Sequence, residues 1–510
     1  MLTILKFSHH FALESPHENY RTAIENYTRN NLIDIKYTKL WNGTVIRKLD
    51  KIYAVKTKHP LIYRFHINCL QEFMDWMRMH GCNKFDVIEE EMYEPESCDF
   101  KIVTNKTPRE MQSDIINYLA AEGNKKVIEL QAGGGKTLCT LFAVNEIKQR
   151  TVLCIKPMYI QRWMDDLAGK DGIFKLKSHE LCKVQGSAGL ASIIRMGLDN
   201  TLTYKFIIIS NKTLHLYFKE YINGVNMEKY HNVKPFELFK VLKAGLRIID
   251  EAHQDFHQCF KTDLFTHIPK TIELSATLVP TDPFKKKMYE IIYPTELRFG
   301  GGVYKKYVNA ISVPYRLDKS NTRPITTTQR GMTSYNQGAY EESIMRDKKR
   351  LSNYLDMVEN LTKTYWGECR VSDYKLLIFA NRVDMCRLIV ERLKQRYPNL
   401  KITKYTEEEK YEILPGMDII VSTPTSAGTA VDIPRLQVCI NTVALGDKQA
   451  NLQMIGRLRE LRDSDVKPTF VYLYNVDVSK HVQYHVMKRD FIFEGKVLSY
   501  TDLMPIQFTV

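Results

Sequence analysis

The stretch from Val127 to Leu141, VIELQAGGGKTLCTL, sets Gly133, Gly134, Gly135, Lys136 and Thr137 between two apolar runs. Glycines at such a place let backbone N–H groups approach anionic oxygens, and lysine and threonine add a positive charge and a hydroxyl ligand for a divalent cation. This is chemistry suited to a polyphosphate. The loop would cradle the phosphates of ATP, Lys136 would reach the β- and γ-phosphates, and Thr137 would contact Mg²⁺. Against the usual G-x-x-x-x-G-K-[ST] pattern, Leu130 stands where the first glycine belongs. A second stretch, LRIIDEAH, ends an apolar run with Asp250, Glu251 and His253. Paired carboxylates suit phosphoryl transfer to water: Asp250 would hold the metal, Glu251 would polarise the attacking water, and His253 would sense the γ-phosphate.

These groups need a rigid frame. From about Lys101 to Arg298 the runs KVIEL, TVLCIK, KFIIIS, LRIID and TIELS alternate with helical segments, and such continuous apolar runs predict a parallel sheet covered on both faces. The alternation resumes with KLLIFA, MDIIVS, LQVCIN and TFVYLY, predicting a second α/β lobe. Between them the polar, Thr/Gly-rich passage from Arg316 to Tyr340 is expected to connect the lobes or form a mobile loop. Residues 1–100 read as a small α+β unit, with strands in LIDIKYTKLW, GTVIRKLD and KIYAVKT and an amphipathic helix in NCLQEFMDWMRMHG that Gly81 ends. The acidic EEEMYEPESCD reads as a linker. The expected fold is therefore α/β: a small N-terminal α+β domain over 1–100 and two P-loop-type lobes in tandem over 101–300 and 301–510.

The bulk numbers agree with several domains: 510 residues, 44% of them hydrophobic. Lys+Arg exceed Asp+Glu by 73 to 59, and the resulting +14 favours a polyanionic partner such as DNA or RNA. Ten cysteines are scattered without metal-ligand spacing, so neither zinc nor disulfides are expected. No apolar run approaches the ~18 residues of a membrane span, and the first residues do not form a signal peptide; a soluble intracellular protein is expected.

At this point the ordered motifs carry a resemblance. DEAH, then SAT at Ser275 to Thr277, then QMIGRLRE at Gln453 to Glu460 resemble motifs II, III and VI of superfamily 2 helicases. The resemblance implies two RecA-like lobes that clamp one ATP, and it assigns further residues. Arg109 and Gln112 in TPREMQ resemble the adenine-recognition motif. KPMYIQRW, with Pro157, Gln161 and Trp163, resembles motif Ia, and IIISNKTL, with Ser210, Asn211 and Thr213, the next strand-contacting motif. In the second lobe LLIFANRVDMC resembles motif IV and VSTPTSAGTAVDIP motif V. There Thr423 and Ser426 would face nucleic acid, while Gly428, Asp432 and Gln453 would face the nucleotide. Ser275 and Thr277 would couple the two sites.

A transferring phosphoryl group also needs a counter-cation, and Arg457 and Arg459 are the candidates. The pattern Q-x-x-G-R-x-x-R puts its second arginine at 460, which is Glu460; Arg459 lies one residue early and Arg462 two late, so the finger stays open. Leu130, GTAVDIP and the lack of long insertions resemble the UvsW-like branch, related to XPB and RecG. KLWNGTVIRKLD resembles the small N-terminal domain of phage UvsW-type helicases. Trp41, Arg47 and Lys48 would there stack on bases and contact phosphates, although Trp41 reads equally as core. PFKKKMY, Lys305 with Lys306, and RDKKR could act as DNA rails, and TELRFGGGVYKKY as a strand-separating wedge. The resemblance implies a monomeric ATP- and Mg²⁺-dependent DNA helicase. It would remodel forks and Holliday junctions during phage replication and recombination in the cytoplasm of the bacterial host. A duplex translocase or an RNA helicase of the same superfamily is the alternative.

Overall fold

A computed structural model of the chain describes residues 1–39, 44–131, 133–276, 278, 282–299, 306–316, 326–329, 332–370, 373–406, 409, 411–427, 433–461 and 465–503. The chain divides into two compact units, Met1–Thr38 with Arg47–Gly302 and Lys39–Ile46 with Val303–Val510.

The first unit begins with an α+β region. Strands β1 (Leu2–Lys6) and β2 (His10–Glu14) are followed by helix α1 (Glu18–Asn31), a two-stranded hairpin of β3 (Ile33–Lys39) and β4 (Val45–Ile52), and strands β5 (Val55–Lys58) and β6 (Leu61–His66). Helix α2 (Leu70–Met79) and β7 (Phe85–Glu89) complete it. Its five-stranded sheet has the order β5-β6-β2-β1-β7, antiparallel except for the parallel pair β1–β7. Gly81, at φ +85°, ends the turn after α2. The acidic stretch that follows runs along the first lobe: Tyr93 Oη donates to Ala244 O at 2.6 Å, and Glu96 N to Lys243 O at 2.9 Å.

The first lobe contains α3 (Glu110–Ala120), β8 (Lys125–Glu129), α4 (Lys136–Ile147), β9 (Thr151–Ile155), α5 (Ile160–Ala168), β10 (Leu181–Val184), α6 (Gly186–Leu198), β11 (Phe206–Ser210) and α7 (Asn211–Asn223). It continues with α8 (Leu238–Val241), β12 (Leu246–Ile249), α9 (Phe256–Asp263), β13 (Lys270–Ser275), α10 (Pro283–Ile292) and β14 (Arg298–Phe299). The strands form one parallel sheet in the order β10-β11-β9-β12-β13-β8-β14. Strands β9, β11 and β12 are buried along their whole length, as a sheet with helices on both faces requires.

The second unit has β15 (Asn309–Tyr315), a hairpin of β16 (Thr326–Gln329) and β17 (Met332–Tyr335), α11 (Gln337–Met345), α12 (Lys348–Thr362), β18 (Lys375–Phe379), α13 (Val383–Arg396) and β19 (Ile402–Tyr405). After these come β20 (Ile419–Ser422), α14 (Pro424–Ala427), β21 (Leu436–Asn441), α15 (Lys448–Ile455), β22 (Thr469–Asn475), α16 (Ser479–Met487) and β23 (Ser499–Asp502). Its parallel sheet runs β19-β20-β18-β21-β22-β15-β23. Counted from the first strand of each lobe, both sheets have the order 3-4-2-5-6-1-7. The two lobes are thus one topology used twice, the duplication expected from the alternating runs.

Of the two readings of the passage from Arg316 to Tyr340, a connection between the lobes does not hold: the passage lies inside the second unit, after its first strand β15, and its described part contains β16, β17 and the start of α11. Strand β15, NAISVPY, escapes a sequence reading because of Pro314. The proline is tolerated because, among the described residues, β23 pairs with Asn309–Ser312 and does not reach Pro314.

The N-terminal region and the first lobe share one apolar core that runs from Leu2 to Tyr293. Tyr53 packs its ring against Phe256, Phe260 and Phe284, and His257 Nε2 lies 2.9 Å from Ile52 O. Asn68 Nδ2 donates to Ile291 O at 2.7 Å. Helix α9, directly after the DEAH stretch, is therefore braced by residues from the start of the chain.

In the second unit a buried lysine sets a pH dependence. Lys488 Nζ lies 4.5 Å from the Tyr472 ring centroid, and burial pushes its ammonium down to about 7. The folded state then binds fewer protons than the unfolded chain between pH 7 and the ordinary value of 10.5, so stability rises with pH through that window. Lys488→Met is expected to stabilise the protein at pH 7 by on the order of 2 kcal/mol and to flatten this rise. Denaturant titrations at pH 7 and 10 check it.

Candidate nucleotide and nucleic-acid site

The site is assembled at the C-terminal ends of four adjacent strands, β9, β12, β13 and β8. In an open parallel sheet this is the edge at which ligands bind.

Strand β8 leads through Leu130 and the glycines into α4. Gly133 (φ +85°) and Gly135 (φ +90°) occupy left-handed backbone, and a Cβ at Gly135 would lie 2.3 Å from Gln112 Nε2. Glycine is thus favoured there for its left-handed conformation, and a side chain would also displace the Gln112 amide. Gln112, buried on α3, donates from Nε2 to Gly134 O at 3.1 Å and accepts from Arg109 N at its Oε1 at 3.0 Å. One amide therefore ties the TPREMQ turn to the glycine loop. Lys136 opens α4; its Nζ donates to Leu130 O at 3.2 Å and lies 3.9 Å from Glu251 Oε1. Thr137 follows in the first helical turn, where backbone N–H groups and the helix dipole favour an anion. Leu130 is itself buried, which accounts for a large apolar residue in the glycine's slot.

Asp250 and Glu251 follow β12. Asp250 Oδ1 accepts from Glu251 N at 2.8 Å, and its Oδ2 accepts from the indole Nε1–H of Trp163 at 2.9 Å. Burial, and then the neighbouring Glu251 charge, push the Asp250 carboxyl up, while Lys136 and the Trp163 N–H pull it down. Glu251 adopts φ +53°, left-handed backbone that L residues enter uncommonly. His253 Nδ1 is 2.7 Å from Ser275 Oγ, and its Nε2 is 3.4 Å from Glu251 Oε2. Burial and the Lys136 charge hold His253 down at about 3, so the ring is neutral at physiological pH. The arrangement that satisfies each atom has the Ser275 hydroxyl donating to Nδ1 and Nε2–H facing the Glu251 carboxylate. Ser275, itself buried, thereby connects the end of β13 to Glu251.

The remaining sequence-derived residues divide by exposure. Pro157 and Gln161 lie on the surface, Gln161 Nε2 donating to Asp165 Oδ1 at 2.9 Å. Ser210 is buried at the start of α7, and Thr213 Oγ1 accepts from Gly186 N at 2.8 Å. In the second unit Thr423 and Ser426 are buried, with their hydroxyl oxygens 2.9 Å apart at the start of α14. Gln453 is half-buried on α15; Arg457 is buried just after it, and Arg459 donates to Gly456 O. Trp41, Thr277, Gly428 and Asp432 lie outside the described residues, as do Lys305 and the glycines of TELRFGGGVYKKY; for Arg47 and Lys48 the backbone strand β4 alone is described.

Two anchoring side chains escaped the sequence reading. Trp163, grouped there with a strand-contacting motif, is 1% exposed and faces Asp250. Ile160, three residues before it, and Leu167, four after, are also buried, a helical stripe that could have signalled an inward tryptophan. Glu341 on α11 accepts from Asn381 N at 2.7 Å and Arg382 N at 2.8 Å, holding the loop of LLIFANRVDMC; burial pushes its carboxyl up to about 7.

No protein-family model and no curated protein matches this chain. Solved structures do. Mss116p, in a form lacking its NTE and C-tail and bound to ssRNA and AMP-PNP, superposes with a TM-score of 0.52 at 16% identity, over 78% of this chain and 74% of that one. The DEAD-box helicase Mss116 bound to ssRNA and UDP-BeF superposes at 0.50 and 16% identity, over 78% and 75%. The Hef helicase domain of Pyrococcus furiosus superposes at 0.42 and 14% identity, over 75% of this chain and 98% of that one. The likeness to Mss116p is one of fold: the chain has two RecA-like α/β lobes in tandem, preceded by an α+β region.

Proposed function

We propose that the chain is an ATP-dependent nucleic-acid helicase. The observation that carries this reading is the convergence on Glu251 of Lys136, at 3.9 Å, and His253, at 3.4 Å, beside a glycine loop pinned by Gln112. In this reading Gln112 and Arg109 recognise the base and the loop amides take the phosphates. Lys136 exchanges the Leu130 carbonyl for phosphate oxygens. Thr137 and Asp250 would hold Mg²⁺, a role that fits a carboxylate whose oxygens each accept one N–H; the ion would neutralise charge on the phosphoryl oxygens. Glu251 takes the proton of the water that attacks the γ-phosphorus, held in place by the neutral His253 and Ser275. Arg457 or Arg459 supplies the counter-charge of motif VI.

The finer reading is a UvsW-like helicase of phage origin, monomeric and acting in the host cytoplasm on branched DNA. The +14 net charge supports a polyanionic partner, and the sequence resemblance supports DNA branches. Strand-displacement rates on forks, Holliday junctions, tailed DNA duplexes and RNA duplexes test it. Faster processing of branched DNA is the expected result. Equal rates on forks and linear tailed duplexes would sink the branch reading, and ATP-driven movement along duplexes without displacement would favour a translocase.

A further inference from the structure

The segment from Lys156 to Trp163 has two faces. Pro157, Met158, Gln161 and Arg162 are exposed, whereas Tyr159 and Trp163 are buried. The buried face holds the DEAH turn at three points. Trp163 Nε1 donates to Asp250 Oδ2 at 2.9 Å, Tyr159 Oη donates to Gln254 Oε1 at 2.9 Å, and Lys156 Nζ lies 3.5 Å from Asp255 Oδ2. The order is antiparallel: the first cation of the segment meets the last residue of the turn, and the tryptophan meets the first. Among these contacts, Trp163 alone touches a group read as a cation ligand.

A carboxylate has about four lone-pair positions and swings about its Cβ–Cγ bond unless donors hold it. Here the Glu251 amide occupies one position on Oδ1 and the indole N–H one on Oδ2, which fixes the plane and leaves one position on each oxygen. Outer partners of this kind orient metal ligands. We propose that Trp163 is a positioning residue for Asp250, holding its carboxylate in the orientation that takes the divalent cation of the bound nucleotide. It also makes α5 a rigid connection between that carboxylate and the outer face carrying Pro157 and Gln161. The inference rests on the reading of Asp250 as a metal carboxylate given above.

Trp163→Phe keeps an aromatic ring in the pocket and removes the donor. Mn²⁺ binding to the full chain with AMP-PNP, followed by electron paramagnetic resonance, is expected to weaken about tenfold. AMP-PNP affinity in EDTA should stay unchanged, and a cooperative melt should persist at a modestly lower temperature. Asp250→Asn serves as the second arm. Weakened Mn²⁺ binding in Asp250→Asn together with native binding in Trp163→Phe overturns the role of Trp163 and leaves the metal assignment standing. Native Mn²⁺ binding in both overturns the metal assignment and the inference with it. If Trp163→Phe loses its cooperative melt, ¹⁹F NMR of the unsubstituted chain labelled with 5-fluorotryptophan takes its place. One of four tryptophan signals should move between the AMP-PNP and the Mg²⁺–AMP-PNP complexes; four unmoved signals overturn the proposal.

Discussion

Exchange of Glu251 for glutamine is expected to lower ATP turnover by about 10²–10⁴-fold, the range over which a positioned general base acts. Glutamine keeps the size of the side chain and an acceptor oxygen, but it cannot take a proton from water. Phosphate release should fall while AMP-PNP binding persists. The glutamate is well placed for the role. It sits at φ +53° on the turn after β12, 3.9 Å from the Lys136 ammonium and 3.4 Å from His253 Nε2. Stability should change little, because glutamine fills the same space and the contact with Lys136 is long, at 3.9 Å. The neutral state of His253, held at about 3, means that this imidazole does not titrate between pH 6 and 9. Retention of turnover in Glu251→Gln would remove the glutamate from the chemistry.

The second large effect concerns stability. Asp263, at the end of α9, is the anion of a fully buried cluster. Its Oδ2 lies 2.7 Å from Lys125 Nζ and 3.3 Å from His66 Nε2, and its Oδ1 accepts from Arg247. Lys125 also lies 2.9 Å from Glu273 Oε1, with Arg247 at 4.0 Å. Burial alone would push the Asp263 carboxyl up, but Lys125 and then Arg247 hold it well below its ordinary value. Glu273 goes the other way, pushed up chiefly by burial. Asp263 therefore carries the negative charge that two buried cations require. Asp263→Ala leaves Lys125 and Arg247 under-compensated, and breaking such a buried set costs about 3–5 kcal/mol. The thermal midpoint should fall by roughly 5–15 °C. Because His66 comes from the N-terminal sheet, the same change should raise the susceptibility of residues 1–100 to proteolysis. An unchanged midpoint would show that the cluster contributes nothing to the fold.

Much of the frame of the candidate site was legible in the sequence for physical reasons. The runs TVLCIK, KFIIIS and LRIID are apolar throughout because a parallel sheet buries both faces, and the glycines around Lys136 mark left-handed backbone that few other residues adopt. What escaped notice depends on contacts distant in the chain. Strands β1 and β2 are five residues each and separated by the polar Ser8 and His9, so they show little periodicity. Helix α1 has few apolar residues, and its burial rests on Ala23, Ile24 and Tyr27. The cluster at Asp263 joins residues 197 and 138 positions apart, a pairing no local pattern reveals. Trp163 was grouped with Pro157 and Gln161 by its resemblance to motif Ia, which does not say which way each side chain points; its inward direction follows from the helical stripe with Ile160 and Leu167.

The most direct test of the central claim is steady-state ATP hydrolysis by the full chain, measured with and without single-stranded DNA. Mg²⁺-dependent turnover that DNA stimulates, and that Glu251→Gln abolishes, is the predicted result. ATP hydrolysis absent in both conditions, or present and indifferent to both the polynucleotide and Glu251, would contradict it.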